Sequence, residues 1–162
     1  MLKRIISAVA VWVGLTCAAA AEPHFTIGGA VVAAPAGWRE VKKEDERITL
    51  HSPDDRQQAT ISVMYFGADA SFEDFKRLCA LRIEAEKKEL GSGFIEPTAP
   101  YEKGGRFGMM FYGGEKKTGR IFAGHLSLEK KALITIYLEG SGVDPKQHME
   151  LFETFVTGLK RK

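Results

Sequence analysis

Residues 106–138, RFGMMFYGGEKKTGRIFAGHLSLEKKALITIYL, decide the fold of this chain. They contain three runs rich in aromatic and β-branched residues, 106–115, 120–128 and 133–138. Two short polar turns, Lys116–Gly119 and Glu129–Lys131, connect the runs. Gaps of this size between β-rich runs are typical of hairpins, so the stretch predicts an antiparallel β-meander.

Alternation along the three strands predicts which side chains form a core. With Glu129–Lys131 as the second turn, one face is apolar on every strand. That predicted core face carries Phe107, Met109, Phe111, Phe122, Leu126, Leu128, Ile134, Ile136 and Leu138. The opposite face carries Gly108, Met110, Tyr112, Ile121, Ala123, His125, Thr135 and Tyr137. The second face is too apolar to lie wholly in water, so we expect another element to cover part of it.

The first 21 residues have the pattern of a secretory signal peptide. Lys3 and Arg4 are basic, residues 5–15 are apolar, and small residues occupy 17–21. The apolar run would span about 16 Å as a helix, against roughly 30 Å for a hydrocarbon core, which disfavours a permanent membrane anchor. We therefore expect export to the periplasm or beyond, cleavage after Ala21 or one residue earlier, and no membrane span afterwards.

Length and charge bound the remaining chain, residues 22–162. It is long enough for one hydrophobic core and too short to suggest two, so a single domain is expected. Loss of Lys3 and Arg4 leaves 21 of the 23 basic residues against 21 acidic residues. A formally neutral domain with interspersed charges has no field that attracts nucleic acid or an anionic membrane. Nucleic-acid binding is therefore not expected.

The two cysteines raise separate questions. Cys17 suggests a lipidated bacterial protein, but Gly14–Cys17 lacks the small residue usually found just before a lipidated cysteine, so cleavage without lipidation is favoured. After cleavage, Cys79 has no partner for an intramolecular disulfide. It is a nucleophile, an intermolecular bridge or a small buried residue on a helix. We favour burial, because free cysteine is among the most buried residue types.

Further strands precede the meander. Five runs are predicted as strands: 24–27, 30–34, 38–41, 47–51 and 59–66. Gly28-Gly29 readily adopts positive φ angles, which predicts a hairpin between the first two. Trp38 is expected in the core or at its rim. The run 94–101 contains Pro97 and Pro100, so it can form only an edge strand or an irregular crossing, because proline donates no hydrogen bond to a ladder.

Two amphipathic helices are predicted. Ser71 as N-cap with Asp74 three residues later begins the first, which should end at Gly91. Its predicted buried positions are Phe72, Phe75, Leu78, Cys79, Ile83 and Leu90, and its predicted water-facing positions are Glu84, Glu86, Lys87, Lys88 and Glu89. Asp144 followed by Pro145 begins the second helix, on which the domain is expected to end. Its predicted buried stripe is Met149, Phe152, Phe155, Val156 and Leu159.

Together these elements predict an α+β fold, in which an antiparallel β-sheet of about seven strands is flanked by two main helices. Several strands carry apolar residues on both faces. We therefore expect one helix on each face, in an α/β/α sandwich.

No residue pattern indicates catalysis or a metal centre. The four histidines lack the spacing of a zinc site, and His51 with Asp54 and Asp55 is better explained as a polar turn than as a metal site. The chain has no Gly-x-Ser-x-Gly elbow and no Walker phosphate loop. We expect no metal and no cofactor. An enzyme is the least favoured class, although a hydrolase of unfamiliar pattern stays open.

The strongest candidate site consists of Tyr112, His125 and Tyr137. The predicted alternation places all three on the less apolar face of adjacent strands. Tyrosine and histidine there suit a pocket for a small ligand or a contact with a protein partner. The alternative, which we favour, is that they pack beneath a helix with their polar ends at its edge.

Several local patterns recur together in one known group of proteins. They are the exported leader, the strand entry Pro35–Trp38, the helix start Ser71–Phe75, the β-meander and the closing helix around Glu150–Phe155. In this combination the chain resembles the Mog1/PsbP-like group, which includes exported bacterial proteins similar to DcrB. The resemblance covers roughly residues 24–160 and implies the α/β/α sandwich. It also implies a non-catalytic accessory, binding or assembly role, and it assigns no site residues.

The leading hypothesis is therefore a small periplasmic or secreted protein without enzymatic activity that acts through contacts with another protein. An exported compact domain without catalytic spacing motivates it. The alternative is a periplasmic carrier of a small apolar ligand, held between a helix and the sheet near Tyr112, His125 and Tyr137.

Overall fold

A computed structural model describes residues 22–161, so the predicted signal peptide, its cleavage site and Cys17 lie outside the described residues. The described chain forms strands and helices in the following order. They are β1 (His24–Ile27), β2 (Ala30–Ala33), β3 (Arg39–Glu44), β4 (Arg47–His51), β5 (Gln57–Tyr65), α1 (Phe72–Leu90), β6 (Phe94–Pro97), β7 (Tyr101–Lys103), β8 (Arg106–Glu115), β9 (Arg120–Glu129), β10 (Ala132–Ser141), α2 (Pro145–Thr157) and β11 (Leu159–Arg161).

Two antiparallel sheets organise these strands. The main sheet has the order β3-β4-β5-β10-β9-β8-β6, and β7 also pairs with β8. The second sheet has the order β1-β2-β11. The predicted α+β fold, with two helices on a large antiparallel sheet, is confirmed.

The number of strands and the end of the domain differ from the prediction. The proline-containing run gives two short strands, β6 and β7, on one side of β8. The chain also continues beyond α2 into β11, where Lys160 pairs with Val31 of β2. The expectation that the domain ends on a helix was therefore wrong, and Leu159 belongs to this strand. A three-residue strand carries too short a pattern to be recognised in a sequence.

Both helices begin at the residues predicted from their caps. At α1 the Asp74 amide donates to Ser71 Oγ at 3.2 Å, and the Ser71 amide donates to Asp74 Oδ2 at 3.1 Å. At α2 the Gln147 amide donates to Asp144 Oδ1 at 2.9 Å, with Pro145 in the first turn. Within residues 22–161, neither helix combines the length and the hydrophobicity that crossing a membrane requires.

The main sheet carries one hydrophobic core on each face, as expected for a sandwich. The core under α1 contains Phe75, Cys79, Ile83, Leu90, Met109, Phe111, Phe122, Leu126, Leu128 and Leu133. The core under α2 and the small sheet includes Ile27, Val32, Trp38, Ile48, Leu50, Ile61, Val63, Ile134, Ile136, Leu138, Phe152 and Phe155. Helix α1 therefore covers mainly β8 and β9, whereas α2 and the small sheet cover mainly β4, β5 and β10.

The predicted core face is correct for β8 and β9 and wrong for β10. The turn between β9 and β10 has two residues, because Glu129 already pairs with Ala132 and Leu128 with Leu133. Lys130 in this turn adopts a φ of +53°. A turn one residue shorter than predicted moves every side chain of the following strand to the opposite face. Ile134, Ile136 and Leu138 consequently lie under α2.

Replacing Gly124 with alanine should strongly destabilise the protein. A Cβ atom at Gly124 would lie 2.1 Å from Cζ of the buried Phe111 ring, which pairs with it across β8 and β9. Overpacking of this kind costs about 1–3 kcal/mol. Urea unfolding should show a loss in that range for Gly124→Ala. Gly67→Ala, where nothing lies within 4 Å of the added atom, should be nearly neutral. Equal stability of the two variants would contradict the packing.

A buried histidine ties α2 to the main sheet. His148 is 1% exposed, and its Nδ1 lies 2.8 Å from Oε1 of Gln57. Because that oxygen can only accept, Nδ1 carries the proton and donates. Burial lowers the pKa of the His148 imidazole below its ordinary value of 6.5, against an opposing backbone hydrogen bond with Leu138.

His148 should therefore make stability depend on pH. Below pH 6.5 the unfolded chain binds a proton that the folded protein excludes, so stability is complete above pH 6.5 and falls as the pH drops towards the lowered pKa of the folded state. His148→Gln should flatten the decline in unfolding free energy between pH 7 and 5, by up to about 1.4 kcal/mol per pH unit. Exposed His24→Gln is the control and should keep the wild-type slope. A wild-type slope in His148→Gln would refute this account.

Candidate functional site

The two helices cover different halves of the main sheet, so each face keeps one uncovered region. On the face opposite α1, the uncovered region lies on β6, β7 and β8. On the face against which α1 packs, the uncovered region lies on β4, β5 and β10. The side chains in the two regions are chemically different, and both regions are candidates for binding.

Four apolar side chains form the first region, which we call the aromatic surface. It consists of Phe94, Tyr101, Met110 and Tyr112, each between 36% and 45% exposed. The strand register places them on one face, since Tyr101 pairs with Gly108 and Phe94 with Gly114. Met109 and Phe111 point the other way, into the core under α1.

Three local contacts hold the rings of the aromatic surface in place. The Tyr101 ring lies directly on Gly108, where an added Cβ would come within 2.3 Å of the ring. The Tyr112 hydroxyl donates to the Glu96 carboxylate, and this hydrogen bond raises the pKa of Tyr112. The Phe94 and Tyr112 rings meet edge to face with centroids 6.4 Å apart. The surface is therefore ordered before any partner arrives.

The second uncovered region is a sheet face made of polar side chains. Cross-strand pairing arranges them in three rows over β4, β5 and β10. The rows are Arg47–Ser62–Thr135, Thr49–Thr60–Tyr137 and His51–Gln58–Glu139. Helix α1 runs along one side of this floor and encloses a groove of about 460 Å³, which we call the polar groove.

A chain of charged and hydroxyl groups crosses from α1 to the end of β10 beside this groove. Arg82 and Glu86 form an ion pair one helical turn apart on α1. The Tyr137 hydroxyl donates to Glu86 Oε2 at 3.4 Å, and Arg120 donates to Tyr137 at 3.3 Å. Arg120 also donates to Glu139 Oε2 at 2.9 Å. Helix, β9 and β10 are therefore joined by one polar network.

Glu86 is the residue whose role the sequence pattern missed. It was predicted to face water, but it is only 5% exposed. Burial raises the pKa of its carboxyl, and the neighbouring Glu89 raises it further, while Arg82 lowers it. Glu86 lies among other charged residues on the helix, so the sequence pattern could not indicate its burial. That burial depends on where the sheet ends beneath α1.

The sequence-predicted site residues do not share one face. Tyr137 lies on the α1 face, where its ring stacks on Phe122 with centroids 5.7 Å apart. Tyr112 lies on the opposite face, within the aromatic surface. His125 lies on that same opposite face, paired with Met110, but it is only 7% exposed. The prediction of a common face was wrong for Tyr137, because the shorter turn reverses β10.

The turn that contains His51, Asp54 and Asp55 is tied by hydrogen bonds. Asp54 accepts from Ser52 Oγ at 2.7 Å and from Arg56 Nε at 2.7 Å, and these bonds lower its pKa to about 2. Asp55 accepts from Arg39 and lies 3.1 Å from Nδ1 of His51. Among residues 22–161, no three His, Cys, Asp or Glu side chains are grouped to hold a metal ion.

An apolar crevice separates α1 from the segment that joins β6 to β7. It has a volume of about 440 Å³, and its apolar lining consists of Cys79, Ala80, Ile83, Pro97, Pro100 and Met109. Cys79 is 2% exposed, and burial raises the pKa of its thiol to about 11. At neutral pH this cysteine is a protonated apolar side chain, as predicted from its helix position.

Comparisons with known proteins identify the fold. No protein-family model and no curated protein matches this sequence. The solution structure of cyanobacterial PsbP from Synechocystis sp. PCC 6803 superimposes with a TM-score of 0.69 at 12% identity, over 96% of this chain and 98% of that chain. A protein from Bacteroides thetaiotaomicron, at 14% identity, covers 83% of this chain and 45% of its own, with a TM-score of 0.44 that is too low to support an argument. The near-complete superposition on PsbP confirms that this chain has the PsbP-like fold.

Proposed function

We propose that this protein is an exported, non-enzymatic accessory protein of the bacterial envelope, similar to DcrB, that binds another protein through its aromatic surface. The pattern of residues 1–21 supports export to the periplasm or beyond. The formal neutrality of residues 22–162 favours a protein partner over nucleic acid.

The aromatic surface is the observation that carries this proposal. Phenylalanine, tyrosine and methionine are enriched in protein interfaces, where they bury large areas with few rotatable bonds. Here Phe94, Tyr101, Met110 and Tyr112 are contiguous and exposed on the rigid strands of one sheet. Because the Tyr101 ring already lies on Gly108 and the Tyr112 hydroxyl already donates to Glu96, binding of a partner would cost little side-chain entropy at these two residues.

The chemistry of the reactive groups supports a role without catalysis. The Cys79 thiol is buried and stays protonated at neutral pH, so it is a poor nucleophile. The Glu86 carboxylate is paired with Arg82 and accepts from Tyr137, which leaves it engaged in the fold. Neither group has the environment of an activated nucleophile or base.

A charge placed on the aromatic surface should weaken partner binding. Phe94→Glu puts a carboxylate on a surface that has to lose its water on binding, so the affinity should fall at least about ten-fold. The matched control is Leu81→Glu, because Leu81 is 63% exposed on α1 and lies on the other face. Affinity capture from envelope extract with each variant, followed by titration of the recovered partner, measures the difference.

Equal loss of the partner in both variants would place the contact elsewhere. Failure to recover any stoichiometric partner with the wild-type protein would count against the proposal as a whole. Thermal melts of both variants should match the wild type, which shows that lost binding does not come from unfolding. Sedimentation of the purified protein shows whether the partner is a second copy of this chain, because self-association would then be seen without any other protein.

A second candidate function, carriage of a small apolar ligand, is favoured by the crevice beside α1. Its apolar lining and its volume of about 440 Å³ fall within the range of small-molecule sites. Lys76 and Lys87 stand at its rim. In this second proposal the apolar ligand lies on the α1 face, away from Tyr112 and His125, near which the sequence pattern suggests it.

Native mass spectrometry of freshly purified protein tests this carrier function. A retained small-molecule mass should be present in the wild type and lost in Ala80→Arg, which fills the crevice with a long charged side chain. Leu81→Arg, exposed on the same helix and outside both the crevice and the polar groove, should keep the ligand. A wild-type spectrum without any bound mass, combined with no uptake of a fluorescent alkyl-chain probe, would rule the carrier function out.

A further inference from the structure

The polar groove has one charged side chain on each of two opposite walls that is not engaged in an ion pair. Arg47 stands on β4 and Glu89 on α1, and both line the groove. Among the described residues, neither takes part in an ion pair within 4.0 Å. Arg47 has an acidic neighbour in Glu44, which pairs with it across β3 and β4 on the side away from α1.

The remaining charges of the groove compensate one another. Arg82 is paired with Glu86, and Arg120 is paired with Glu139. These four groups together present no net charge to an incoming molecule. The charge pattern offered to a ligand is therefore positive at the β4 wall and negative at the α1 wall.

The α1 wall favours a cation for a second reason. Glu89 is close enough to the buried Glu86 to raise the pKa of its carboxyl, so two carboxylates repel each other there. A cation placed beside them would relieve that repulsion.

The floor between the two walls suits a polar molecule with some hydrocarbon. The hydroxyls of Thr60, Ser62 and Thr135 line it and can both donate and accept. Leu78 of α1 and Leu133 of β10 add apolar surface to the groove. The volume of about 460 Å³ lies within the usual range for small-molecule sites.

We propose that the polar groove binds a small zwitterionic molecule of the amino-acid or short-peptide class, with its carboxylate at Arg47 and its ammonium group at Glu89. Guanidinium matches a carboxylate with two parallel hydrogen bonds, and a glutamate carboxylate accepts from an ammonium group. The amide of a short peptide is satisfied by the threonine and serine hydroxyls of the floor. This site lies on the opposite face of the sheet from the aromatic surface and does not depend on it.

Calorimetric titration with L-alanyl-L-alanine, its N-acetyl derivative and its C-terminal amide tests both contacts. The free dipeptide should bind, and each blocked form should bind at least about ten-fold more weakly, because one charge-assisted hydrogen-bond pair is lost. Arg47→Gln should weaken the free dipeptide to the level of the amide and leave the amide unchanged. Glu89→Gln should have the corresponding effect for the N-acetyl form.

Two substitutions with the same charge changes serve as controls. Lys43→Gln lies on β3 outside the groove, and Glu84→Gln lies on α1 at the apolar crevice, so both should bind the dipeptide like the wild type. Phe94→Glu should also bind it normally, which keeps this test separate from that of the partner surface. No dipeptide binding at millimolar concentration, or binding that is insensitive to both groove substitutions, overturns the proposal.

Discussion

Strand β10 serves two hydrophobic cores at once, and the rest of the structure depends on its register. Leu133 points into the core under α1, whereas Ile134, Ile136 and Leu138 point into the core under α2. The two-residue turn before it fixes which set faces which helix. A slip by one residue would exchange the two sets and turn the carboxylate of Glu139 towards an apolar core, where an unpaired charge is very costly.

The two cores are offset across the sheet, and this offset creates both candidate surfaces. Each helix is too narrow to cover eight strands, so α1 shields mainly β8 and β9 while α2 and the small sheet shield mainly β4, β5 and β10. The strand faces that no helix covers carry different kinds of side chain. On β4 and β5 the open face is polar and solvated, as is usual for antiparallel sheets. On β6 and β8 the open face keeps aromatic side chains, which is unusual for a surface without a partner.

The network of Glu86, Tyr137 and Arg120 marks the boundary between the core under α1 and the polar groove. Burial of the Glu86 carboxylate is unfavourable in itself, and the ion pair with Arg82 and the hydrogen bond from Tyr137 offset that cost. Such a network adds little net stability, but it requires one alignment of the helix over the sheet, because other positions of α1 would leave a buried charge unpaired. It therefore fixes the wall of the groove at a defined distance from its floor.

The sequence by itself determined the local elements of this protein, because those depend on neighbours along the chain. The caps at Ser71 and Asp144, the meander and the burial of Trp38 and Cys79 could be predicted from residue type and spacing. The PsbP-like form of the α+β fold was implied by the resemblance to a known family. Only the tertiary structure decided the face of Ile134, the separation of Tyr137 from Tyr112 and the burial of Glu86. The length of one turn and the area covered by each helix govern these features. Neither quantity is encoded by periodicity, since alternation defines two faces of a strand without saying which one meets a helix.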